Sequence, residues 1–279
     1  MSHTTLISAA DLLALQASGT PPVLLDCSFD LTDAAAGERA WTAAHLPGAR
    51  YVHLDGDLAG ARTGRNGRHP LPARAALAAS AGRWGIAPGI QVVAYDAQGG
   101  PYAARAWWLL RWLGHAEVAV LDGGPAAWLA AGGTLTTERP AVAPQPPYPA
   151  LAPAMPTLDA DALLARLGRV RLLDARAAER FRGEVEPLDA VAGHIPGATN
   201  RFFKDNLQAD GRFKPATTLR AEFEALGAGA GEVVQQCGSG VTACHNLLAM
   251  SHAGLGDSAL YPGSWSEWCS DAARPVARG

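Results

Sequence analysis

The sequence predicts an α/β protein built as two similar halves, each a parallel sheet flanked by helices. Two observations carry this. Short aliphatic runs alternate with longer segments of helical spacing, the pattern of strands that connecting helices bury on both faces. The order of motifs in residues 23–128 also returns in residues 170–268. An offset of close to half the chain marks a duplicated domain, not a solenoid.

Taken in order, residues 1–20 hold a first helix, capped by Ser8, with Leu12, Leu13 and Leu15 as its apolar face. Val23-Leu24-Leu25-Asp26 is a strand. His45-Leu46-Pro47-Gly48-Ala49 is a turn, followed by a strand near Tyr51-Val52. Gln91 to Tyr95 is a buried strand that ends at Asp96 and Gly99-Gly100, and Ala103 to Leu113 is a helix rich in Trp and Leu. Val118 to Leu121 is a strand ending at Asp122-Gly123-Gly124, with Trp128 beyond. In the second half Val170 to Asp174 matches Val23 to Asp26, and His194 to Ala198 matches His45 to Ala49. Val233 to Cys237 matches Val92 to Asp96, and Gly263 to Trp268 matches Gly123 to Trp128. The expected division is a non-catalytic domain over 1–135, a stiff proline-rich linker over 136–156 and a catalytic domain over 157–279.

Composition bounds the function. The chain has 279 residues, 48% of them hydrophobic, and a net charge of −3, so it can bury two ordinary cores and shows no footprint for nucleic acid. No apolar run approaches the ~20 residues of a membrane span. The opening Met-Ser-His-Thr-Thr-Leu lacks the basic and apolar regions of a signal peptide, which points to the cytoplasm. Cys27, Cys237, Cys244 and Cys269 show no metal-ligand spacing; free thiols are expected.

Chemistry is expected at one place. Val233-Val234-Gln235-Gln236 leads into Cys237-Gly238-Ser239-Gly240-Val241, and a helix follows from about Thr242 to Met250. Glycines let the backbone turn back so that N–H groups point inward as an anion nest, and the helix N-terminus adds partial positive charge. A cysteine there is expected as a reactive thiolate. The plain alternative is a buried structural cysteine beside a tight turn. Ligands of parallel sheets bind beyond the carboxyl ends of the strands, where Cys237 sits. Its counterpart is Asp96, a poor sulfur nucleophile, so the second half should carry the chemistry and the first should lend residues.

The run Cys-Gly-Ser-Gly-Val-Thr resembles the active-site loop of the 3-mercaptopyruvate sulfurtransferases of the rhodanese superfamily, and the tandem repeat resembles two-domain rhodaneses over nearly the whole chain. The resemblance implies sulfur transfer from 3-mercaptopyruvate through a Cys237 persulfide to a thiol or cyanide acceptor, with release of pyruvate. It implies no metal or organic cofactor, and a small-molecule sulfur donor and a thiol such as thioredoxin as partners. It assigns Ser239, His69 and Asp55 to a proton-handling array, with Asp57 a rival to Asp55. It assigns Arg180 to the substrate carboxylate, and Gly238, Gly240, Val241 and Thr242 to the loop that holds the substrate. The animal enzymes carry a second arginine where this chain has Leu188; Arg105 could replace it or pair with an acid such as Asp26. Read from its neighbours alone, His69 is a solvent-facing loop histidine among Arg62, Arg65 and Arg68. His45 and His194 occupy matching turns and read as structural, and Cys244 as a small hydrophobe or a resolving thiol.

Three rival functions follow from the same residues. Relatives that prefer thiosulfate carry Arg and Lys where this chain has Gly238 and Ser239, so a loop without side-chain cations ranks a thiosulfate donor second. A phosphatase of the C-x5-R type needs an arginine where Ala243 stands. A persulfide-carrying module without turnover is the non-enzymatic alternative.

Overall fold

The structure, a computed structural model, describes residues 2–149, 151–229 and 231–279. It divides into two compact units, and each takes in a short strap from the other half of the sequence. The first unit is 1–60, 72–154 and 209–213; the second is 61–71, 155–208 and 214–279.

In the first unit the elements run β1 (Leu6–Ile7), α1 (Ala9–Gln16), β2 (Val23–Asp26), α2 (Ala36–Ala43), β3 (Ala49–Tyr51) and α3 (Leu54–Asp57). Then come α4 (Arg74–Arg83), β4 (Val92–Tyr95), α5 (Pro101–Leu113), β5 (Val118–Leu121) and α6 (Gly124–Ala130). The sheet is parallel, in the order β1-β5-β4-β2-β3. Strands β2, β4 and β5 are buried along their whole length, which is why each reads as an unbroken aliphatic run. Ser8 caps α1 as expected, its Oγ accepting the Asp11 N–H at 3.1 Å. Leu12, Leu24, Val93, Tyr95, Leu121 and Trp128 share one core. The proline-rich segment is laid along α4: the Gln145 N–H donates to Gly82 O at 2.8 Å and the Tyr148 N–H to Ala78 O at 2.9 Å.

The second unit repeats the plan with α7 (Ala160–Leu164), β6 (Arg171–Asp174), α8 (Ala178–Phe181), β7 (Thr199–Asn200) and a 3-10 turn at Phe203–Asn206. After these come α9 (Ala216–Ala225), β8 (Val233–Gln236), α10 (Thr242–His252), β9 (Ala259–Leu260) and α11 (Ser264–Trp268). Its parallel order, β7-β6-β8-β9, matches β3-β2-β4-β5. Leu163, Leu172, Val234, Tyr261, Trp265 and Trp268 form its core. The paired histidines do equivalent structural work. His45 stacks on Trp41 with ring centroids 4.6 Å apart and its Nδ1 meets Trp41 O at 2.6 Å; His194 stacks on Phe181 at 3.9 Å and its Nδ1 meets Phe181 O at 2.9 Å. Among the described residues no helix is long and apolar enough to cross a membrane.

Duplication makes the two strand-end loops a natural comparison. After β4, the Asp96 carboxylate accepts four N–H groups: Gln98 at 2.9 Å, Gly100 at 2.8 Å, Tyr102 at 2.9 Å and Ala103 at 2.9 Å. The first half thus keeps an anion nest and fills it with its own side chain. Burial raises the Asp96 carboxyl from its ordinary value, and the four N–H groups act in the opposite sense.

The turns after β5 and β9 diverge in a second way. Gly124 has φ +56°, and Ser264, at the matching place, holds φ +53°. Ser264 is the only non-glycine with positive φ among the described residues, a strain of about 1 kcal/mol or more. Its hydroxyl accepts the Cys237 N–H at 3.1 Å and donates to Tyr261 O at 2.9 Å.

Two stability measurements check these readings. Asp96→Asn places an amide NH2 where N–H donors already point, which should cost about 1–3 kcal/mol and lower Tm by several degrees; an unchanged Tm would contradict the filled nest. Ser264→Gly loses the hydroxyl but relieves the backbone, whereas Ser264→Ala loses the hydroxyl and keeps the strain. Glycine should therefore be the more stable of the two, and the reverse order would show that the left-handed backbone carries no strain.

Candidate active site

Strand β8 delivers Cys237 to its carboxyl end, and two turns clasp there. Besides the Cys237–Ser264 bond, the Trp265 N–H donates to Cys237 O at 3.0 Å and the Ser266 N–H to Gly238 O at 2.9 Å. Gly240 is obligatory: its φ is +75°, and a Cβ would lie 2.3 Å from Pro262 O. With the backbone held this way, the Gly240 N–H donates to Cys237 Sγ at 3.1 Å. Val241 is buried and Thr242 opens α10. The arrangement presents the Gly240 N–H to sulfur, where Asp96 presents a carboxylate to four N–H groups in the first unit.

The other thiols are poor competitors. Burial pushes the Cys27 thiol well above its ordinary value, and burial with nearby Asp189 also raises Cys269. Cys244 is buried on α10, its Sγ donating to Gly240 O at 3.3 Å.

His69 corrects the sequence reading. Its neighbours suggest a solvent-facing loop, but it is 3% exposed, and its Nδ1 lies 2.7 Å from Ser239 Oγ. The strap 61–71, drawn from the first half of the sequence, belongs to the second unit, and it is seated closely. A Cβ on Gly67 would lie 2.7 Å from Gly263 O, and the Arg68 N–H donates to Ser266 Oγ at 3.0 Å. Backbone contact at Gly67 is what brings the next two residues over the loop.

Asp55 stands in the first unit, in the first turn of α3, where its N–H donates to His53 Nδ1 at 3.1 Å. Its rival Asp57 is occupied locally: its Oδ2 accepts the His53 N–H at 2.9 Å, and its Oδ1 lies 3.9 Å from Arg83. Arg105 is fully buried on α5 with its Nε donating to Leu58 O at 3.3 Å, so it is no surface grip for a substrate. Leu188 is exposed, and its N–H donates to Glu186 Oε1 at 3.1 Å.

The loop's own residues carry no cation, as expected, but two reach it from other segments. A Cβ built on Gly238 would lie 2.8 Å from Arg68 Nη2 and 3.4 Å from Arg180 Nη1. Two guanidinium groups therefore cover the residue after the cysteine, and Gly238 leaves them room. Arg180 is held by Glu186 at 2.6 Å and Asp189 at 3.4 Å; Arg68 is paired with the other oxygen of Asp189. Beneath them, buried Arg176 forks onto Asp174, at 2.7 Å for the shortest contact, and lies over the Trp265 ring at 4.9 Å. Burial alone would lower its guanidinium. Asp174, Glu186 and the sulfur of Cys237 outweigh burial and hold it above its ordinary value.

Sequence reasoning missed Arg68 and Asp189. The available signal was weak: an arginine directly before the assigned histidine, behind a glycine, and an acid in the segment searched for a second arginine.

Comparison with known proteins agrees with this geometry. The rhodanese-like domain pattern is matched twice, over residues 8–131 and 159–271. The chain is 50% identical over 285 residues to a probable 3-mercaptopyruvate sulfurtransferase of Pseudomonas aeruginosa, covering 100% of both chains. It is 35% identical over 263 residues to the thiosulfate sulfurtransferase of Bos taurus, covering 88% of this chain and 84% of that one. Among solved structures, 3-mercaptopyruvate sulfurtransferase from Leishmania major superposes with a TM-score of 0.82 at 30% identity, over 95% of this chain and 74% of that one. With a buried cysteine at a strand end, a glycine loop cradling it and the whole plan duplicated, the chain belongs to the rhodanese family as a tandem of two rhodanese-like domains.

Proposed function

We propose that the protein is a 3-mercaptopyruvate sulfurtransferase. The observation that carries this reading is the buried hydrogen bond between Ser239 and His69, at 2.7 Å. A serine–histidine pair relays a proton. 3-Mercaptopyruvate brings a thiol proton and leaves an enolate that must be protonated; thiosulfate offers no such proton. Asp55 is proposed as the acid of this array, on the family pattern and because Asp57 is committed to its own helix.

In the proposed reaction Cys237 Sγ, as thiolate, attacks the donor sulfur. The new S–S bond forms as the donor C–S bond breaks, and its electron pair leaves with the carbon as the pyruvate enolate. A proton supplied through Ser239 and His69 converts the enolate to pyruvate. The Gly240 N–H and its neighbours hold the sulfur charge before and after transfer. An acceptor thiolate, such as that of thioredoxin, or cyanide then attacks the outer sulfur and returns the Cys237 thiolate. Gly238, Gly240, Val241 and Thr242 shape the donor's seat, and Arg180 faces its carboxylate. The four free cysteines suit a reducing, cytoplasmic setting.

A second reading, thiosulfate as donor, is favoured by the two guanidinium groups over Gly238, which suit a dianion. Steady-state kinetics with both donors separate the two. Wild type should show the higher kcat/KM with 3-mercaptopyruvate, and Cys237→Ser should abolish both activities. His69→Ala should lower mercaptopyruvate turnover by about 100-fold or more and change thiosulfate turnover only a few-fold. Preference for thiosulfate together with indifference to His69 would overturn the proposal.

A further inference from the structure

Beside the edge strand β3, the first unit holds a cleft of about 460 Å³ walled by α2, β3, the start of α3 and the chain near Arg139. Its lining belongs to the first unit, whereas Cys237 and its loop belong to the second. Arg50 of β3 lines this cleft and is half-buried. Its Nε and Nη1 are shielded from solvent, and neither has a hydrogen-bond partner. Burial lowers the guanidinium from its ordinary value, and no carboxylate acts in the opposite sense. A shielded cation left unanswered destabilises a fold. A buried arginine elsewhere in this chain, Arg176, is by contrast forked onto Asp174.

A second cation lines the same cleft. Arg139 lies over the Trp41 ring, 5.3 Å from its centroid, and Trp41 is itself fixed by its Nε1–H donating to Ala49 O at 3.0 Å. A ring face holds a guanidinium without neutralising it. Of the two acids in the lining, Asp57 is engaged by the His53 N–H and Arg83. Glu38 is the remaining acid against two arginines, so the lining favours a single added negative charge. Tyr51, Pro140 and Val142 supply apolar wall, and the volume is that of a small-molecule site.

We propose that this cleft binds a small organic monocarboxylate, with Arg50 receiving the carboxylate, Arg139 flanking it and the apolar wall taking the body of the ligand. No hydrogen bond of Nε or Nη1 has to break for the Arg50 head to turn toward a ligand. A carboxylate matches a planar guanidinium through two parallel N–H bonds. The site goes beyond the sulfur chemistry and does not depend on it.

The test is calorimetric titration of the intact protein with phenylacetate, beside neutral phenylacetamide and inorganic phosphate. Wild type should bind phenylacetate, and each of the other two should bind about tenfold more weakly or worse. Arg50→Met keeps the stem and removes the donors; it should weaken phenylacetate about tenfold or more. Arg139→Ala should weaken it about threefold or more. Arg220→Ala, which removes an exposed arginine of the second unit, should change nothing. A melting readout separates binding from packing. Without ligand, Arg50→Met should melt no lower than wild type, because Nε and Nη1 have no partner to lose. Phenylacetate should raise the Tm of wild type and not that of the variant. If Arg50→Met melts early, Arg50→Lys serves: it keeps the charge, loses the fork and should bind more weakly than wild type. The proposal is overturned if wild type binds no phenylacetate up to about 10 mM, or if Arg50→Met and Arg50→Lys bind it as wild type does. Binding kept in Arg50→Met and lost in Arg180→Ala would place the anion in the second unit and also overturn it. Phosphate bound as tightly as phenylacetate would overturn the monocarboxylate assignment.

Discussion

Everything at this site depends on the clasp between two turns, Cys237–Val241 after β8 and Pro262–Ser266 after β9. Ser264, held in a left-handed backbone, receives the Cys237 N–H, and the next two N–H groups donate to the carbonyls of Cys237 and Gly238. Pro262 O leaves no room for anything but glycine at position 240. The sulfur therefore does not rest on a flexible loop. Its backbone is tied on one side to a neighbouring strand end, and the Gly240 N–H already points at it.

The same turn receives the strap. Gly67 packs on Gly263, and Arg68 bonds to Ser266, so the contact that fixes the cysteine also fixes Arg68 and His69 beside it. One small stretch, Gly263-Ser264-Trp265-Ser266, supplies a hydroxyl to the Cys237 backbone, a seat for the strap and, through Trp265, a face for Arg176. The first half shows what happens without a reactive group. Gly124 replaces the serine, Asp96 replaces the cysteine, and the carboxylate satisfies the N–H groups for good. In the second unit the sulfur of Cys237 stands at that place and accepts the Gly240 N–H.

Much of this was legible in the sequence, for identifiable reasons. Strands buried on both faces must be aliphatic throughout, so β2, β4, β5, β6 and the start of β8 announce themselves. The nest requires glycines, so the Cys237 loop stands out. His69 was legible only through family pattern, because its burial comes from the docking of a strap that no local periodicity encodes. Arg68 was barely legible, marked only by its place between Gly67 and His69. Its partner lies 121 residues away, and an acid in the turn 186–189 reads as a lost arginine until the fold shows that it gathers two arginines from elsewhere. The left-handed Ser264 was equally silent, since serine does not advertise a positive φ as glycine does.

In the proposed function Cys237 alone of the four thiols carries sulfur. The direct measurement is the intact mass of the protein after incubation with 3-mercaptopyruvate and no acceptor, followed by peptide mapping under non-reducing conditions. The expected result is a gain of one sulfur atom, on the peptide that contains Cys237, discharged when a thiol acceptor is added. Sulfur found on Cys27, Cys244 or Cys269 with Cys237 unmodified would contradict it.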